Sequence, residues 1–198
     1  SIFIAPDQIT ELRALRVNGS ESWSGYYRGT DLALMAGHAV DIESRAVGLY
    51  FTPNPIKASS VKEFNVFKKR GKGEMISDAD IECRRWGLID IDAIRLDEFG
   101  KVIEGGSKLP ATDQELAWAK QKAEHIAATL QANGINGTIL ADSGNGAHVC
   151  FPLNLLNDEY ARDLHQSLLR QLQRISGDMP NAFSKVDLST FNASRIWK

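Results

Sequence analysis

Two aspartates, Asp90 and Asp92, stand two positions apart at the end of an apolar stretch, residues 86–92. If this stretch is a β-strand, its side chains alternate between two faces, so both carboxylates share one face. Neighbouring carboxylates repel each other, whereas a divalent cation that prefers oxygen ligands, such as Mg²⁺ or Mn²⁺, would explain the pair. The alternative is a strand that ends at the solvent, with two acids opening a loop. The spacing of the pair alone leaves both interpretations open.

A histidine and a third aspartate can join this pair in a folded sheet. His148 follows a glycine-rich link, Ser143-Gly144-Asn145-Gly146, whose Asn-Gly step favours a hairpin between strands at 138–142 and 147–151. Asp187 belongs to a short strand that we predict at residues 185–188. Alone, each could be a structural residue. Together on one sheet face, three carboxylates and an imidazole suit the binding of one or two divalent cations for phosphoryl transfer.

Two helices are predicted from capping residues and helical periodicity. Thr112 and Glu115 form a capping box, and Gly134 is placed to end the helix that they begin. A later helix begins after an Asn157 cap and ends before Gly177. Its apolar residues at helical spacing predict a buried stripe made of Ala161, Leu164, Leu168, Leu172 and Ile175.

From residue 86 onward the predicted order is β-α-β-β-α-β, the split βαβ arrangement, in which helices cover one sheet face and leave the other open. Upstream, we predict a strand at 9–17, a loop or hairpin at 18–29, a helix from Thr30 to Val40, a strand at 46–51 and a short helix from Ser59 or Ser60 to Phe67. A closing strand is predicted at 194–198. The fold class is therefore α+β: one domain over 1–198, with a small N-terminal α/β lobe (about 1–80) packed on a split βαβ sheet (about 81–198) whose catalytic face is open.

The densest positive charge in the chain follows residue 67 and comprises Lys68, Lys69, Arg70 and Lys72. The whole chain of 198 residues has a net charge of −2, so a polyanion would have to be held by such a local patch. The stretch is either a solvated loop or a cationic loop that contacts the phosphate backbone of a DNA template or primer.

Composition restricts the remaining possibilities. Cys83 and Cys150 are too few for a disulfide framework or a zinc site, which favours a cytoplasmic protein without zinc in this segment. No apolar run approaches the length of a membrane span, so no membrane partner is expected. Both ends are abrupt, which indicates a domain of a larger protein.

These motifs resemble the archaeo-eukaryotic primase superfamily, and in particular the primase-polymerases of phages, plasmids and other mobile elements, with an RNA-recognition-motif-like catalytic sheet. The resemblance rests on Asp90-Ile91-Asp92, on Ser143-Gly144-Asn145-Gly146-Ala147-His148, on Val186-Asp187 and on Ser194-Arg195-Ile196-Trp197-Lys198. Phe51-Thr52-Pro53-Asn54-Pro55 is similar to a strand end of the mobile-element branch. The motifs occur in the family's order along nearly the whole chain.

The resemblance implies template-directed nucleotidyl transfer with two Mg²⁺ or Mn²⁺ ions, held by Asp90, Asp92 and Asp187. It implies that His148, Ser143 and the hairpin backbone contact the triphosphate of an incoming nucleoside triphosphate, and that Arg195 contacts phosphate or template. In a regular strand Lys198 points away from Arg195, so a shared role would need a bend. A fused or associated helicase is a further expectation of the resemblance.

Three other functions fit parts of the pattern. A metal-dependent nuclease or replication initiator usually needs a histidine pair or a helical nucleophilic tyrosine; Tyr160 lies in a predicted helix, but no histidine pair accompanies it. A glycosyltransferase can use Asp-x-Asp, although the split βαβ order argues against one. A nucleic-acid-binding platform with a primase fold would need no catalysis.

Overall fold

The computed structural model describes residues 1–71, 73–106, 109–177 and 183–198. Within these residues the protein is α+β, with two four-stranded antiparallel sheets and three α-helices. The same residues include no helix that combines the length and apolar character needed to cross a membrane. The chain forms two compact units: the first is Ser1–Trp86, Asn154–Asp158 and Asn192–Lys198, and the second is Gly87–Leu153 and Glu159–Phe191.

The first unit contains a sheet with the strand order β3-β1-β2-β4 and one α-helix. Strand β1 has the predicted bounds, and the predicted loop or hairpin is a hairpin that pairs β1 with β2. The helix begins and ends slightly later than predicted. The elements of this unit are β1 (Ile9–Val17), β2 (Glu21–Arg28), α1 (Leu32–Glu43), β3 (Gly48–Phe51) and β4 (Lys68–Lys69).

Two predicted elements of the first unit are wrong. The short helix expected up to Phe67 is a single 3₁₀ turn at Ala58–Ser60. The closing strand at 194–198 is reduced to one bridge between Phe51 and Trp197. Side chains hold the backbone there in place of a ladder, because the Asp78 carboxylate accepts hydrogen bonds from the N–H and hydroxyl groups of Ser194 at 2.8 and 2.6 Å.

The second sheet has the strand order β6-β7-β5-β8. The predicted succession β-α-β-β-α-β is confirmed, with strands longer than expected at β5 and β7. These elements are β5 (Cys83–Ala93), α2 (Asp113–Ala132), β6 (Ile139–Asp142), β7 (Gly146–Leu156), α3 (Glu159–Gly177) and β8 (Ser184–Val186). The capping box of Thr112 and Glu115 is present at the start of α2.

The core of the second unit lies between one face of this sheet and the two helices. The sheet contributes Ile89 and Ile91 from β5 and Val149 and Phe151 from β7, all fully buried. Because strand residues alternate, Asp90, Asp92 and His148 must lie on the face that α2 and α3 do not cover. The helices contribute Ala119, Ala123, Ile126, Leu130, Leu169 and Leu172.

The predicted buried stripe of α3 is partly wrong. Ala161 and Leu172 are buried as predicted, but Leu164 and Ile175 are 45% and 43% exposed. Leu168 is half-buried. The residues of α3 that are buried are Ala161, His165, Leu169, Leu172 and Ser176. The core-facing stripe is therefore rotated by about one residue, and two of its members are polar.

Candidate functional site

Asp90 and Asp92 occupy the face of β5 opposite the helical core. Both side chains are half-buried, whereas Ile91 between them is fully buried in the core. The same face is not open along its whole length, since Leu88 is 3% exposed and Cys150 on β7 is 2% exposed. The two aspartates thus lie where a largely buried sheet face becomes accessible.

Strand β8 brings the third aspartate to the first. Val186 pairs with Ile91, and the N–H of Asp187 donates to the carbonyl oxygen of Asp90 at 2.8 Å. Residues directly opposite each other in an antiparallel pair project to the same face, so the side chains of Asp187 and Asp90 are cross-strand neighbours. In the same register Lys185 lies opposite Asp92.

His148 approaches the same acids from β7. Its Nε2 lies 3.4 Å from Oδ1 of Asp90, a contact that becomes an ion pair when the imidazole is protonated. The residue is 9% exposed. His148 and Asp90 therefore lie close together, as expected from the sequence, and the imidazole is near enough to orient the carboxylate.

The pKa of Asp92 reflects this crowding of acids. Burial raises the pKa of Asp92 above its usual range, and the negative charges of Asp90 and Asp187 raise it further. The cations Lys185 and Arg95 oppose the increase only in part. A bound divalent cation would remove the repulsion, so the oxygen-rich donor set fits Mg²⁺ or Mn²⁺.

The described residues include no group of three or more His, Cys, Asp or Glu side chains already arranged to hold a metal ion. The carboxylate of Asp187 accepts hydrogen bonds from the N–H and the hydroxyl of Ser189 at 2.8 and 2.9 Å. This is the turn-forming role that Asp187 can have without any ligand. Each carboxylate oxygen of Asp187 accepts one of these hydrogen bonds and keeps a second lone pair that could face a cation.

The hairpin link between β6 and β7 is partly occupied by its own hydrogen bonds. The N–H of Ser143 donates to the carbonyl of Gly146, and the N–H of Gly144 donates to the carboxylate of Asp142 at 2.7 Å. The side-chain oxygen of Asn145 accepts from the N–H of Ala111 at 3.1 Å. Two of the four backbone donors that the nucleotide-binding prediction requires are thus already engaged.

Gly146 is required by the close approach of β7 to β5. A Cβ atom built on Gly146 would lie 2.1 Å from the carbonyl oxygen of Ile91, far inside van der Waals contact. Gly144 has φ +87°, a left-handed conformation that glycine adopts without strain. The backbone geometry therefore explains why glycine occupies both positions, independently of any ligand.

A cleft of about 310 Å³ lies beside Asp92 and contains residues that the sequence analysis missed. The missed residues of its lining are Arg95 and Lys185, and they lie there with Asn145, which the sequence did predict. Arg95 is 5% exposed, and its guanidinium donates to the carbonyl oxygens of Leu109 and Ala93. The alternation of the predicted strand at 185–188 could have identified Lys185, because Lys185 and Asp187 share one face.

The basic stretch belongs to the first unit, where acids neutralise much of its charge. Nζ of Lys68 lies 2.5 Å from Glu63, and Nζ of Lys69 lies 2.8 Å from Glu21. The Arg70 guanidinium lies 3.9 Å from Glu63 and 5.5 Å from the ring centroid of Tyr26. Lys72, the fourth predicted DNA contact, lies outside the described residues.

The last predicted contacts also belong to the first unit. Arg195 is half-buried and its backbone N–H donates to the carbonyl of Asn192, while Lys198 is exposed. Neither residue lies in a regular strand, so the expectation that their side chains point to opposite faces of a strand does not apply. Their roles in phosphate or template binding stay predictions.

No family model, no curated protein and no solved structure matches this chain. The feature with the clearest chemistry is the group formed by Asp90, Asp92, Asp187 and His148 in the second unit.

Proposed function

We propose that this protein is a metal-dependent nucleotidyl transferase that extends nucleic acid on a DNA template, of the primase-polymerase type. The observation that carries the proposal is the convergence of strands β5, β7 and β8. This convergence makes Asp187 a cross-strand neighbour of Asp90. It also places Nε2 of His148 3.4 Å from Oδ1 of Asp90. The split βαβ order, typical of RNA-recognition-motif-like sheets, supports the same proposal.

In this proposal Asp90, Asp92 and Asp187 hold two Mg²⁺ or Mn²⁺ ions. Such ions stabilise charge on the attacking and leaving oxygens of phosphoryl transfer. His148 orients Asp90 and donates a hydrogen bond to the triphosphate of the incoming nucleotide. Within the hairpin, the site residues are Ser143, Gly144, Asn145 and Gly146.

The first unit supplies the remaining roles in the proposal. Arg195 and Lys198 contact phosphate or template, and the stretch of Lys68, Lys69, Arg70 and Lys72 contacts the DNA backbone. Contacts of this kind depend strongly on salt, since binding releases counterions from the nucleic acid.

A second candidate is a nucleic-acid-binding platform without catalysis. It is favoured by the lack, among the described residues, of side chains preassembled to hold a metal ion, and by the engagement of Asp187 with Ser189. In that case the three aspartates would have structural roles, and the carboxylate of Asp187 would stabilise the turn at Ser189.

Incubation with a primed DNA template, nucleoside triphosphates and Mn²⁺ tests these candidates together. Primer extension that is lost in the Asp90→Asn/Asp92→Asn double variant is the expected result. Binding of the template without extension would support the platform, and strand cleavage would indicate a nuclease. A matched Asp163→Asn variant, which changes an exposed acid of α3, controls for loss of charge.

A further inference from the structure

We propose that Lys122 on α2 and Gln173 on α3 are positioning residues that hold the edge strand β8 so that Asp187 lies opposite Asp90. The inference rests on the proposed function in one respect, namely that Asp187 is a metal ligand. The two contacts themselves are features of the second unit alone.

Strand β8 is an edge strand, with β5 on one side only. The N–H of Asp187 donates to the carbonyl of Asp90 in β5, and the carbonyl of Phe183 accepts from the N–H of Ile94, the residue after β5. The backbone groups of Phe183 and Asp187 therefore point inward, toward the sheet. The backbone groups of Ser184 and Val186 therefore point away from the sheet. An unsatisfied edge of this kind is free to slip or to pair with another chain.

The two helices satisfy these outward groups with side chains. Nζ of Lys122 donates to the carbonyl oxygen of Ser184. The side-chain oxygen of Gln173 accepts from the N–H of Val186 at 2.7 Å. The short strand is thus fixed from both sides, by β5 inward and by a side chain from each helix outward.

The burial of Lys122 indicates that its role is specific. The residue is 2% exposed, and burial lowers the pKa of its ammonium group. An ammonium group costs free energy to bury, and an apolar residue of similar length would fill the same space without that cost. The hydrogen bond to Ser184 gives the charged group a function that packing does not require.

The location of the Asp187 carboxylate depends directly on the register of β8. Asp187 is the first residue beyond the three-residue strand, so any slip of β8 moves its carboxylate directly. A slip by one residue would send the carboxylate to the opposite face. Groups that orient metal ligands commonly change metal affinity or activity by 10–100-fold when removed, about the range expected here.

The test measures hydrogen exchange of the Asp187 amide, relative to the Val149 amide of the central strand, together with Mn²⁺ affinity by calorimetry. Lys122→Met keeps an unbranched side chain as far as Cε and removes the donor Nζ. Gln173→Leu removes the acceptor, whereas Gln173→Glu keeps it. Ile126→Val, one turn further along α2, is a matched core variant that leaves both contacts intact.

We expect Lys122→Met and Gln173→Leu to accelerate exchange at Asp187 at least about tenfold and to weaken Mn²⁺ binding about 10–100-fold. Gln173→Glu and Ile126→Val should retain wild-type values for both. Unchanged Mn²⁺ affinity in both contact-removing variants would overturn the inference, as would an equal loss in Ile126→Val. If the wild-type protein binds no Mn²⁺, the proposed function fails, and unaltered exchange at Asp187 would still overturn the positioning role.

Discussion

At the scale of single residues, His148 can act on the site in two ways. Its Nε2 lies 3.4 Å from Asp90, so it can orient a carboxylate, and it can also donate a hydrogen bond to a phosphate. In the proposed site, three carboxylates would supply the oxygen ligands that Mg²⁺ and Mn²⁺ prefer, which would leave the imidazole available for a phosphate. The alternative is that the imidazole is itself a metal ligand.

Replacing His148 separates these roles. We expect His148→Ala to raise the apparent KM for nucleotide and to lower turnover in primer extension, because a lost hydrogen bond to a charged group costs about 1.5–3 kcal/mol. Mn²⁺ affinity of the nucleotide-free protein should change little, as measured by calorimetry. A large loss of that affinity would instead make His148 a metal ligand.

Gly146 offers a second test at this scale. Gly146→Ala places a methyl group against the carbonyl of Ile91 and should separate β7 from β5, with a loss of several kcal/mol, about 3 or more, in the free energy of unfolding. Gly144→Ala, at a position whose φ of +87° is strained for any residue with a Cβ atom, should cost about 1–2 kcal/mol. Urea denaturation of both variants compares them. Equal losses would contradict the close approach of the two strands.

At the scale of elements, Glu115 connects the segment after β5 to helix α2. Its two carboxylate oxygens accept hydrogen bonds from the N–H groups of Leu96 and Thr112, at 2.8 and 2.9 Å. Burial raises the pKa of Glu115, but these hydrogen bonds outweigh burial and lower the pKa below its usual range. The ionised form therefore stabilises the fold.

The sign of this shift predicts how stability depends on pH. Because the pKa of Glu115 is lower in the folded protein than in the unfolded chain, the ionised carboxylate stabilises the fold fully at pH values above the unfolded pKa, near 4.3. This contribution disappears as the pH falls through the lower pKa of the folded protein. Glu115→Gln should thus cost about 1–3 kcal/mol of unfolding free energy at pH 7. The difference from wild type should shrink at pH 3 in urea titrations. A cost that is the same at both pH values would show that charge plays no part.

Elements with strong local signals were predictable from the sequence. The capping box of Thr112 and Glu115 and the hairpin after Asp142 are each specified by neighbouring residues, so their type is independent of distant packing. The buried stripe of α3 could not be predicted in this way, because leucines occur on two adjacent faces of the helix. The choice of the face with Leu169 over the face with Leu164 is made by the sheet.

The candidate site was predictable in part for the same reason. Alternation along the strands placed Asp90 and Asp92 on one face, and the topology brought Asp187 beside Asp90. Lys122 was beyond prediction, because no local pattern shows that a lysine within an amphipathic helix donates to a strand 62 residues later. The ion pairs of Lys68 and Lys69 likewise depend on folded neighbours.

At the scale of the whole molecule, charge is balanced. The chain has a net charge of −2, and in the first unit Lys68 and Lys69 form ion pairs with acids. Template binding would therefore exchange protein ion pairs for phosphate contacts. The salt dependence of binding measures how many such contacts form.

Neutralising this part of the basic stretch gives a direct prediction. Lys68→Gln/Lys69→Gln should lower the slope of log affinity against log salt by about two, since each lost phosphate contact lowers it by about one. Fluorescence anisotropy with a labelled primed template measures the slope. Lys101→Gln/Arg162→Gln, two exposed cations of the second unit, is the matched control. An unchanged slope in the first variant would make the stretch a solvated loop.

The proposed function requires that Asp90, Asp92 and Asp187 bind divalent cations, and calorimetric titration of the nucleotide-free protein with Mn²⁺ measures this binding without any other substrate. We expect saturable binding by the wild-type protein. Asp90→Asn and Asp92→Asn should each weaken it at least about tenfold, or 1.4 kcal/mol, while Asp163→Asn leaves it unchanged. Mn²⁺ binding of wild-type strength in both site variants, or no binding by the wild-type protein at millimolar Mn²⁺, would show that these aspartates are not a metal site.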